Sequence, residues 1–248
     1  MKTDTSSNTD SIEISAAYSR LAQIAGLRTD MYHLLALGFL DPTVELVSGL
    51  IDGTFRADVV ATTTGLIEGF RLNGGIASKL NESGSTLSED SFARDKAVLY
   101  QEMATEYARL FIGPGAAAVS PYETVQVDSG GGDPPLLMVS TTGTAVMAMY
   151  REANLNMTQG MNEPPDHIAT ELEFMYYLCG KEAASWQAGN NSEAKEWRVR
   201  QSKFANEHLC KWGIRFCEQV KTNTQQKFYL ALSILASAFF QMESNREA

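Results

Sequence analysis

Apolar side chains recur at helical spacing along most of the chain. One series is Tyr100, Met103, Tyr107 and Leu110, at positions i, i+3, i+7 and i+10. Side chains at this spacing lie on one face of a helix, whereas a half-buried strand alternates apolar and polar residues. No convincing alternating run occurs. The sequence therefore predicts an all-α fold, a compact protein of several helices.

The same pattern sets approximate helix limits. It predicts helices over residues 12–40, 44–51, 55–80, 91–111 and 140–154, one that begins near residue 166, and two more over 193–221 and 225–242. Gly74-Gly75 is expected to break the third helix, since glycine is a poor helix former. Residues 81–86 are rich in serine and polar residues and are predicted to form a loop.

Glycine and proline interrupt the helical pattern over residues 113–139. The stretch contains Gly113, Pro114, Gly115, Pro121, Gly130, Gly131, Gly132, Pro134 and Pro135. We predict a long loop or hinge here, and loops of this length in compact domains are usually functional. It would divide a single domain, residues 1–248, into an N-terminal lobe of about 12–112 and a C-terminal lobe of about 140–242.

Charge narrows the range of partners. The formal net charge is −10, from 20 basic and 30 acidic residues. Phosphate binding needs a basic surface, so a nucleic-acid partner or an anionic membrane surface is not expected. Residues 111–180 hold eight acidic residues and a single cation, Arg151. A charged partner is therefore expected to be basic, although a solvated acidic surface would give the same pattern.

Several features favour a cytoplasmic protein without stable membrane insertion. Three cysteines, Cys179, Cys210 and Cys217, form no disulfide framework or CxxC pair. The first ten residues are polar and show no export signal. The most apolar run, Phe228 to Phe240, spans 13 residues, which is too short to cross a bilayer.

Enzyme signatures are missing from the chain. We find no phosphate-binding GxxxxGK[ST], no GxGxxG, no HExxH and no GxSxG, and the three histidines are far apart. We therefore predict no catalytic residue, no metal ligands and no bound cofactor. Glu102 and Glu106 share one helix face, and a solvated face is the default interpretation.

Asp166 and His167 form the most distinctive polar pair. They stand at a predicted helix start beside Pro164-Pro165. In one interpretation Asp166 supplies helix-start electrostatics and His167 forms a local hydrogen bond. In the other they are contact points in a binding groove, where a histidine can donate, accept or titrate. The sequence alone favours the first interpretation by a small margin.

Three motifs, in order, resemble segments of the TorD/DmsD family of chaperones for molybdenum-cofactor oxidoreductases. The first is EYARLFIGP at residues 106–114, followed by PYETV at 121–125. The second is EPPDHIATELEFM at residues 163–175, which is similar to the family's E-P-x-D-H-I-x-x-E-L-x-F-M signature. The third is FANEHLCKWGIRF at residues 204–216. Tyr122 stands where many relatives carry tryptophan.

The resemblance implies an all-helical chaperone rather than an enzyme. Such proteins bind the twin-arginine signal peptide of a molybdoenzyme catalytic subunit, and some also bind the folded subunit. They hold the client in the cytoplasm until its cofactor is inserted, and some members form domain-swapped homodimers. Transferred position by position, the implied peptide-binding residues are Tyr107, Leu110, Phe111, Gly113, Pro121, Tyr122, Glu123, Glu163, Pro164, Asp166, His167 and Glu171.

With the resemblance, Asp166 and His167 become the first functional candidates, because core packing is not expected to require them. Other roles and other functions stay open. Leu110 and Phe111 are also candidates for the core, and His208 is expected to be a core histidine with its hydrogen bonds satisfied. Leu172, Phe174, Met175, Trp212 and Phe216 are assigned to the core. One alternative function is assembly of a non-exported enzyme of the nitrate-reductase type. Another is binding of a small molecule or nucleotide by a helical protein.

Overall fold

The computed structural model describes residues 6–87, 92–113, 117–128, 140–155 and 163–246, with side chains at all of these except 6–14 and 128. This part of the chain is helical and contains no strand, so the all-α prediction is confirmed. The helices are α1 (Ser6–Phe39), α2 (Val44–Ile51), α3 (Thr54–Phe70), α4 (Gly74–Thr86), α5 (Lys96–Tyr107), α6 (Glu123–Asp128), α7 (Thr141–Glu152), α8 (Ile168–Gln187), α9 (Asn191–Phe204), α10 (Cys210–Asn223) and α11 (Lys227–Ser244).

Two wider, π-helical turns interrupt regular winding. Helix α5 runs on into Ala108–Ile112, and α9 is joined to α10 through Ala205–Leu209. A π-helical turn holds an additional residue and so rotates the side chains that follow it. The second of these turns carries His208, whose ring is buried.

The long helix α1 packs along α8 and also contacts α3 and α11. Its buried side chains include Tyr32, Leu35 and Phe39, which lie on one helix face. The ring of Tyr32 meets that of Phe239 edge to face, with centroids 4.8 Å apart. The N-terminal and C-terminal parts of the chain therefore contribute to one main hydrophobic core.

Helix α11 lies at the centre of this core. Phe228, Tyr229 and Phe239 are fully buried. Helix α10 approaches α11 closely at Gly213, where a Cβ atom would lie 2.8 Å from the ring of Phe240. Burying a phenylalanine contributes about 1.5–3 kcal/mol, so this helix supplies much of the hydrophobic stabilisation.

A buried ion-pair network joins α1, α8 and α11. Arg28 donates from Nε and Nη2 to both carboxylate oxygens of Glu243 at 2.8 and 2.6 Å, and from Nη1 to Glu182 at 3.0 Å. Tyr32 donates to Glu243 at 2.9 Å, and Trp186 donates to Glu182 at 3.1 Å. A guanidinium group shielded from water needs nearby negative charge and hydrogen-bond acceptors. Glu243 and Glu182 supply both to Arg28.

Two local predictions differ from the structure. Residues 81–86 belong to α4 and do not form a loop, because Gly84 lets α4 approach α3 closely. A Cβ atom at Gly84 would lie 2.9 Å from Val60. Helix α6 lies inside the segment predicted as a loop over 113–139. Parts of that segment, residues 114–116 and 129–139, lie outside the described residues, and the two-lobe division stays a prediction.

Within the described part of the chain, no single helix has the length and apolar composition needed to span a membrane, and the bent pair Ser15–Phe39 and Val44–Ile51 meets that test jointly with a bend of 112°.

Candidate functional site

The segment from Glu163 to His167 forms the turn that begins α8. His167 is the N-cap residue, and its Nδ1 accepts a hydrogen bond from the amide of Ala169 at 3.2 Å. This bond satisfies an amide that the first turn of a helix otherwise leaves unpaired. Burial lowers the pKa of His167 to about 4, so the ring is neutral at pH 7. Because Nδ1 accepts, the hydrogen is assigned to Nε2.

A second segment runs antiparallel to this turn. Tyr122 and His167 form an isolated β-bridge, and the amide of Ile168 donates to the carbonyl of Pro121 at 2.9 Å. The rings of Tyr122 and His167 also meet edge to face, with centroids 5.3 Å apart. The structure therefore brings the P-Y-E and E-P-P-D-H motifs together, although they are distant in sequence.

Asp166 holds this second segment in place through two buried hydrogen bonds. Its carbonyl accepts from the amide of Glu123 at 2.9 Å, and its Oδ2 accepts from the amide of Thr124 at 3.1 Å. Asp166 and His167 are almost fully buried. Both side chains satisfy buried backbone amides, so the expectation that core packing does not require Asp166 and His167 is wrong. Whether they also affect peptide binding remains a prediction.

Two buried carboxyl groups lie beneath the paired segments. His208 Nδ1 lies 3.1 and 2.9 Å from the two carboxylate oxygens of Glu123, which accept its hydrogen. The indole Nε1 of Trp212 donates to Glu171 at 3.1 Å. All four side chains are buried. His208 is therefore the satisfied core histidine expected from the sequence, and its partner is one of the predicted peptide-binding residues.

Burial and repulsion set the protonation state of Glu171. Burial, followed by the nearby charge of Glu123, raises its pKa well above the ordinary glutamate value, and the charge of Asp166 acts in the same direction. Two carboxylates in one dry site cannot both ionise easily, so one retains its proton. Burial and the charge of Glu123 therefore favour the neutral form of Glu171 in the folded protein.

Three predicted residues reach solvent at the edge of the turn. Tyr122, Glu163 and Pro164 are partly exposed. Glu163 Oε2 lies 3.9 Å from Nε2 of His167, but the neutral imidazole makes this a polar contact and not an ion pair. A partner can touch these three groups directly.

The first motif contributes mainly to the core. The ring of Phe111 lies 5.2 Å from that of Tyr107, 5.9 Å from Phe216 and 5.9 Å from Tyr229, measured between centroids. Leu110 is fully buried. Gly113 ends the π-helical turn with a positive φ of 66°, which glycine adopts without strain. Leu110 and Phe111 therefore pack in the core, which is the alternative role predicted for them.

Exposure divides the predicted site residues into two sets. The buried set is Tyr107, Leu110, Phe111, Pro121, Glu123, Asp166, His167 and Glu171. The partly exposed set is Gly113, Tyr122, Glu163 and Pro164. A peptide that rests on this surface therefore meets the second set first, while the first set holds that surface in place.

The solvated interpretation of Glu106 is wrong. Its side chain is 5% exposed, and it accepts hydrogen bonds from Arg109 at 2.8 and 2.9 Å, from the Gln225 amide at 2.6 Å and from Thr224 at 3.0 Å. These bonds outweigh the effect of burial and lower the pKa of Glu106. Glu106 thus links the first motif to the connection between α10 and α11 by hydrogen bonds. Helical spacing alone could not predict these contacts.

Comparison with known proteins places these motifs in a family. Residues 73–218 match the model of a family described as nitrate reductase delta subunit. The chain is similar to the chaperone protein TorD of Vibrio cholerae, with 27% identity over 144 residues, 58% of this chain and 61% of that one. TorD of Aliivibrio salmonicida is 24% identical over 168 residues, 68% of this chain and 70% of the relative.

A further relative has a different name. The selenate reductase assembly chaperone protein of Thauera selenatis is 30% identical over 119 residues, 48% of this chain and 57% of its own length. The match with this protein, like that with the Vibrio cholerae TorD, spans less than two thirds of the relative. The region matched to the family model includes all twelve predicted site residues.

Proposed function

Because this chain belongs to the nitrate reductase delta subunit family, the family of TorD-like chaperones, we propose that it is a chaperone for the catalytic subunit of a molybdenum-cofactor oxidoreductase. In this role it binds the twin-arginine leader of that subunit in the cytoplasm. It holds the client until the cofactor is inserted and then releases it for export. The relatives named above are chaperones or assembly chaperones, which supports a role without catalysis.

The observation that carries the proposal is the construction of the turn at residues 163–167. Its buried members, Asp166 and His167, bond to backbone amides and fix the turn against the P-Y-E segment. Tyr122 and Glu163 remain accessible at its edge. A fixed backbone that displays an aromatic ring and a carboxylate can bind a peptide with little loss of conformational entropy.

The chemistry of a twin-arginine leader suits such a surface. The leader has a basic segment followed by an apolar stretch. Its arginines can form charge-assisted hydrogen bonds to carboxylates, and Glu163 offers one at the surface. Its apolar stretch can lie against aromatic side chains, and Tyr122 offers one of these. The high share of acidic residues over 111–180 also favours a basic partner.

Isothermal titration calorimetry with the full chain tests this proposal. We expect binding of a synthetic twin-arginine leader and much weaker binding of a scrambled peptide of the same composition. Tyr122→Ala should weaken leader binding several-fold, whereas Tyr176→Ala, an exposed tyrosine on α8, should leave it unchanged. Failure to bind any leader, including one encoded beside this gene, would contradict the proposal.

A chaperone for a non-exported enzyme of the nitrate-reductase type is the second candidate. The description of the matching family names the nitrate reductase delta subunit, which favours this option. Copurification of a molybdoenzyme subunit that lacks a leader, together with no binding of leader peptides, would select it. The same preparations would show by light scattering whether the chain forms the homodimer that the sequence resemblance implies.

A further inference from the structure

Helices α1 and α3 lie antiparallel and meet closely at two glycines of α3. A Cβ atom at Gly65 would lie 2.7 Å from the side chain of Leu27, and one at Gly69 would lie 3.1 Å from Ile24. Leu27 follows Ile24 whereas Gly65 precedes Gly69, so the two helices run in opposite directions. The α1 residues that follow Leu27 therefore face the α3 residues that precede Gly65.

A cleft of about 420 Å³ opens between these two stretches. Its polar lining consists of Asp30 and His33 on α1 and of Asp58 and Thr62 on α3. The two α3 side chains are short, which leaves the space between the helices unfilled. Asp30, His33 and Asp58 are exposed, whereas Thr62 is buried. Pockets that bind small molecules measure about 300–1,000 Å³, so this cleft can admit a small ligand or one side chain of a partner.

Thr62 is the unusual member of this lining. The hydroxyl of its neighbour Thr63 donates to the Val59 carbonyl at 2.8 Å, as threonine in a helix commonly does. Thr62 is 5% exposed, and its hydroxyl forms no hydrogen bond with any residue that the structure describes. The oxygen is not sealed inside the protein, so it is open to the cleft that Thr62 lines. Buried hydroxyl groups are normally hydrogen-bonded, and one without a partner points to a ligand group.

The two carboxylates of the cleft also lack partners. Among the described residues, neither the Asp30 nor the Asp58 side chain forms an ion pair or accepts a hydrogen bond. Burial raises the pKa of Asp30; the charge of His33 opposes this effect, and the charge of Asp58 adds to it. The His33 ring lies 5.1 Å from the Tyr176 ring on α8, measured between centroids. The cleft thus offers two carboxylates and a hydroxyl group to a positively charged hydrogen-bond donor.

We propose that this cleft binds a primary ammonium group on an aliphatic chain, which donates hydrogen bonds to Asp30, Asp58 and Thr62. An ammonium group has three N–H donors, one for each of these acceptors. Its methylene chain can lie against Leu27 and Leu34, which line the same cleft. A lysine side chain of a partner protein and a free alkyl diamine share this chemistry.

Other cations fit the lining less well. Among the described residues, no group of three or more His, Cys, Asp or Glu side chains is arranged to hold a metal ion. A guanidinium group holds its donors rigidly in one plane, whereas an ammonium group rotates about its chain to meet acceptors on two helices. Every residue that lines the cleft precedes residue 73, where the match to the family model begins. The site is therefore separate from the peptide-binding residues that the family resemblance implies.

NMR titration of the full, isotope-labelled chain tests the assignment. The probes are butylammonium chloride, butanol, which has the same chain without the charge, and tetramethylammonium chloride, which has the charge without N–H donors. The variants are Asp30→Asn, Asp58→Asn and Thr62→Val. Glu68→Gln is the control, because it removes an exposed acid of α3 that does not line the cleft. Thermal unfolding of each variant confirms that it is folded.

The expected result is specific to the ammonium group. Butylammonium should shift the amide resonances of Asp30 and Thr62 to saturation, and the other two probes should bind at least tenfold more weakly. Each of the three cleft variants should weaken butylammonium binding about three- to tenfold, the effect of losing one partly exposed hydrogen bond to a charged group. Glu68→Gln should bind as the wild type does. Equal binding of tetramethylammonium to the wild type, or unchanged binding in Thr62→Val, would overturn the assignment.

Two further probes distinguish the sources of the ammonium group. These are N-acetyl-lysine methylamide and diaminobutane, titrated in the same way. Binding of the lysine derivative at least as tight as that of butylammonium would support a lysine side chain of a partner protein as the occupant. Tight binding of the diamine together with weak binding of the lysine derivative would support a free diamine. If no amine gave a saturable shift, the site would be refuted, whether or not the chain binds a leader peptide.

Discussion

Asp166 Oδ2 accepts a hydrogen bond from the amide of Thr124 at 3.1 Å, across 42 residues of sequence. The bond lies in the buried interior and links the turn before α8 to the first turn of α6. It explains why an aspartate stands in a place that solvent does not reach. The contact also determines what a substitution at Asp166 does.

Asp166→Ala should lower the free energy of unfolding by about 1–3 kcal/mol. The change leaves the Thr124 amide buried without its acceptor, and an unsatisfied buried donor costs about that much. Asp166→Asn keeps an oxygen acceptor and should lose less. Urea denaturation followed by circular dichroism measures both values. An unchanged midpoint in Asp166→Ala would show that this bond contributes nothing to stability.

Glu171 should make stability fall as pH rises. Burial and Glu123 raise its pKa in the folded protein above the ordinary value of 4.5. Above pH 4.5 the unfolded chain releases a proton that the folded chain keeps, so each rise in pH favours unfolding until the folded pKa is passed. Glu171→Gln removes this proton and can still accept the Trp212 hydrogen bond. We expect the variant to gain stability relative to the wild type as pH rises above 4.5.

The control for this prediction is an exposed glutamate. Glu102→Gln changes the same chemical group on a side chain that is 37% exposed. Surface substitutions of this kind usually change the free energy of unfolding by less than about 0.5 kcal/mol. If the difference between Glu171→Gln and the wild type did not change with pH, the raised pKa of Glu171 would be contradicted.

His167 should make stability fall as pH decreases, whereas Glu171 makes it fall as pH rises. Its pKa falls from 6.5 in the unfolded chain to about 4 in the folded protein because of burial. Between these values the unfolded chain holds a proton that the folded chain lacks, so stability is lost as pH falls from 6.5 towards 4. The total is on the order of 3 kcal/mol, since one pKa unit corresponds to about 1.4 kcal/mol.

His167→Asn provides the test of that dependence. Asparagine can cap α8 through its side-chain oxygen but does not titrate. Denaturation curves recorded from pH 4 to pH 7 should show the wild type losing more stability than the variant at the acidic end. His33→Asn, a change at an exposed histidine, is the matched control. Parallel curves for wild type and His167→Asn would contradict the prediction.

The buried network around Arg28 should be the most sensitive point of the fold. Arg28→Ala leaves Glu243 and Glu182 without their cation in the interior, and breaking a buried pair in this way costs about 3–5 kcal/mol. Arg94→Ala also removes an arginine from an ion pair, but that pair with Glu102 is exposed, with side chains 40% and 37% accessible. It should cost less than about 1 kcal/mol. Similar losses for both variants would contradict this account.

Periodicity predicts which helix faces are buried but not which residues meet. The stripe of Phe204, Trp212 and Phe216 follows directly from spacing, and all three side chains are buried. The contact between Glu123 and His208 spans 85 residues, and that between Arg28 and Glu243 spans 215. Composition rules assign charged residues to the surface by default. A charged residue can be buried only where a partner neutralises it, and the whole fold determines which residue that partner is.

For the predicted site, too, the sequence revealed the segments involved but not the contacts between them. The family motifs identified the segments that meet, 121–125 and 163–175, yet the sequence did not indicate that Asp166 would be buried. Helix α6 was also missed, because its start is stabilised by Asp166 and not by its own sequence.

The bond between Arg28 and Glu243 also has a consequence for synthesis on the ribosome. Arg28 is translated 215 residues before its main partner, Glu243. Until α11 leaves the exit tunnel, the guanidinium group has no Glu243 and the main core lacks its central helix. The nascent chain therefore cannot complete its core during elongation, and the final collapse follows the translation of Glu243. The chain would thus stay incompletely folded while the 215 residues that separate the two partners are translated.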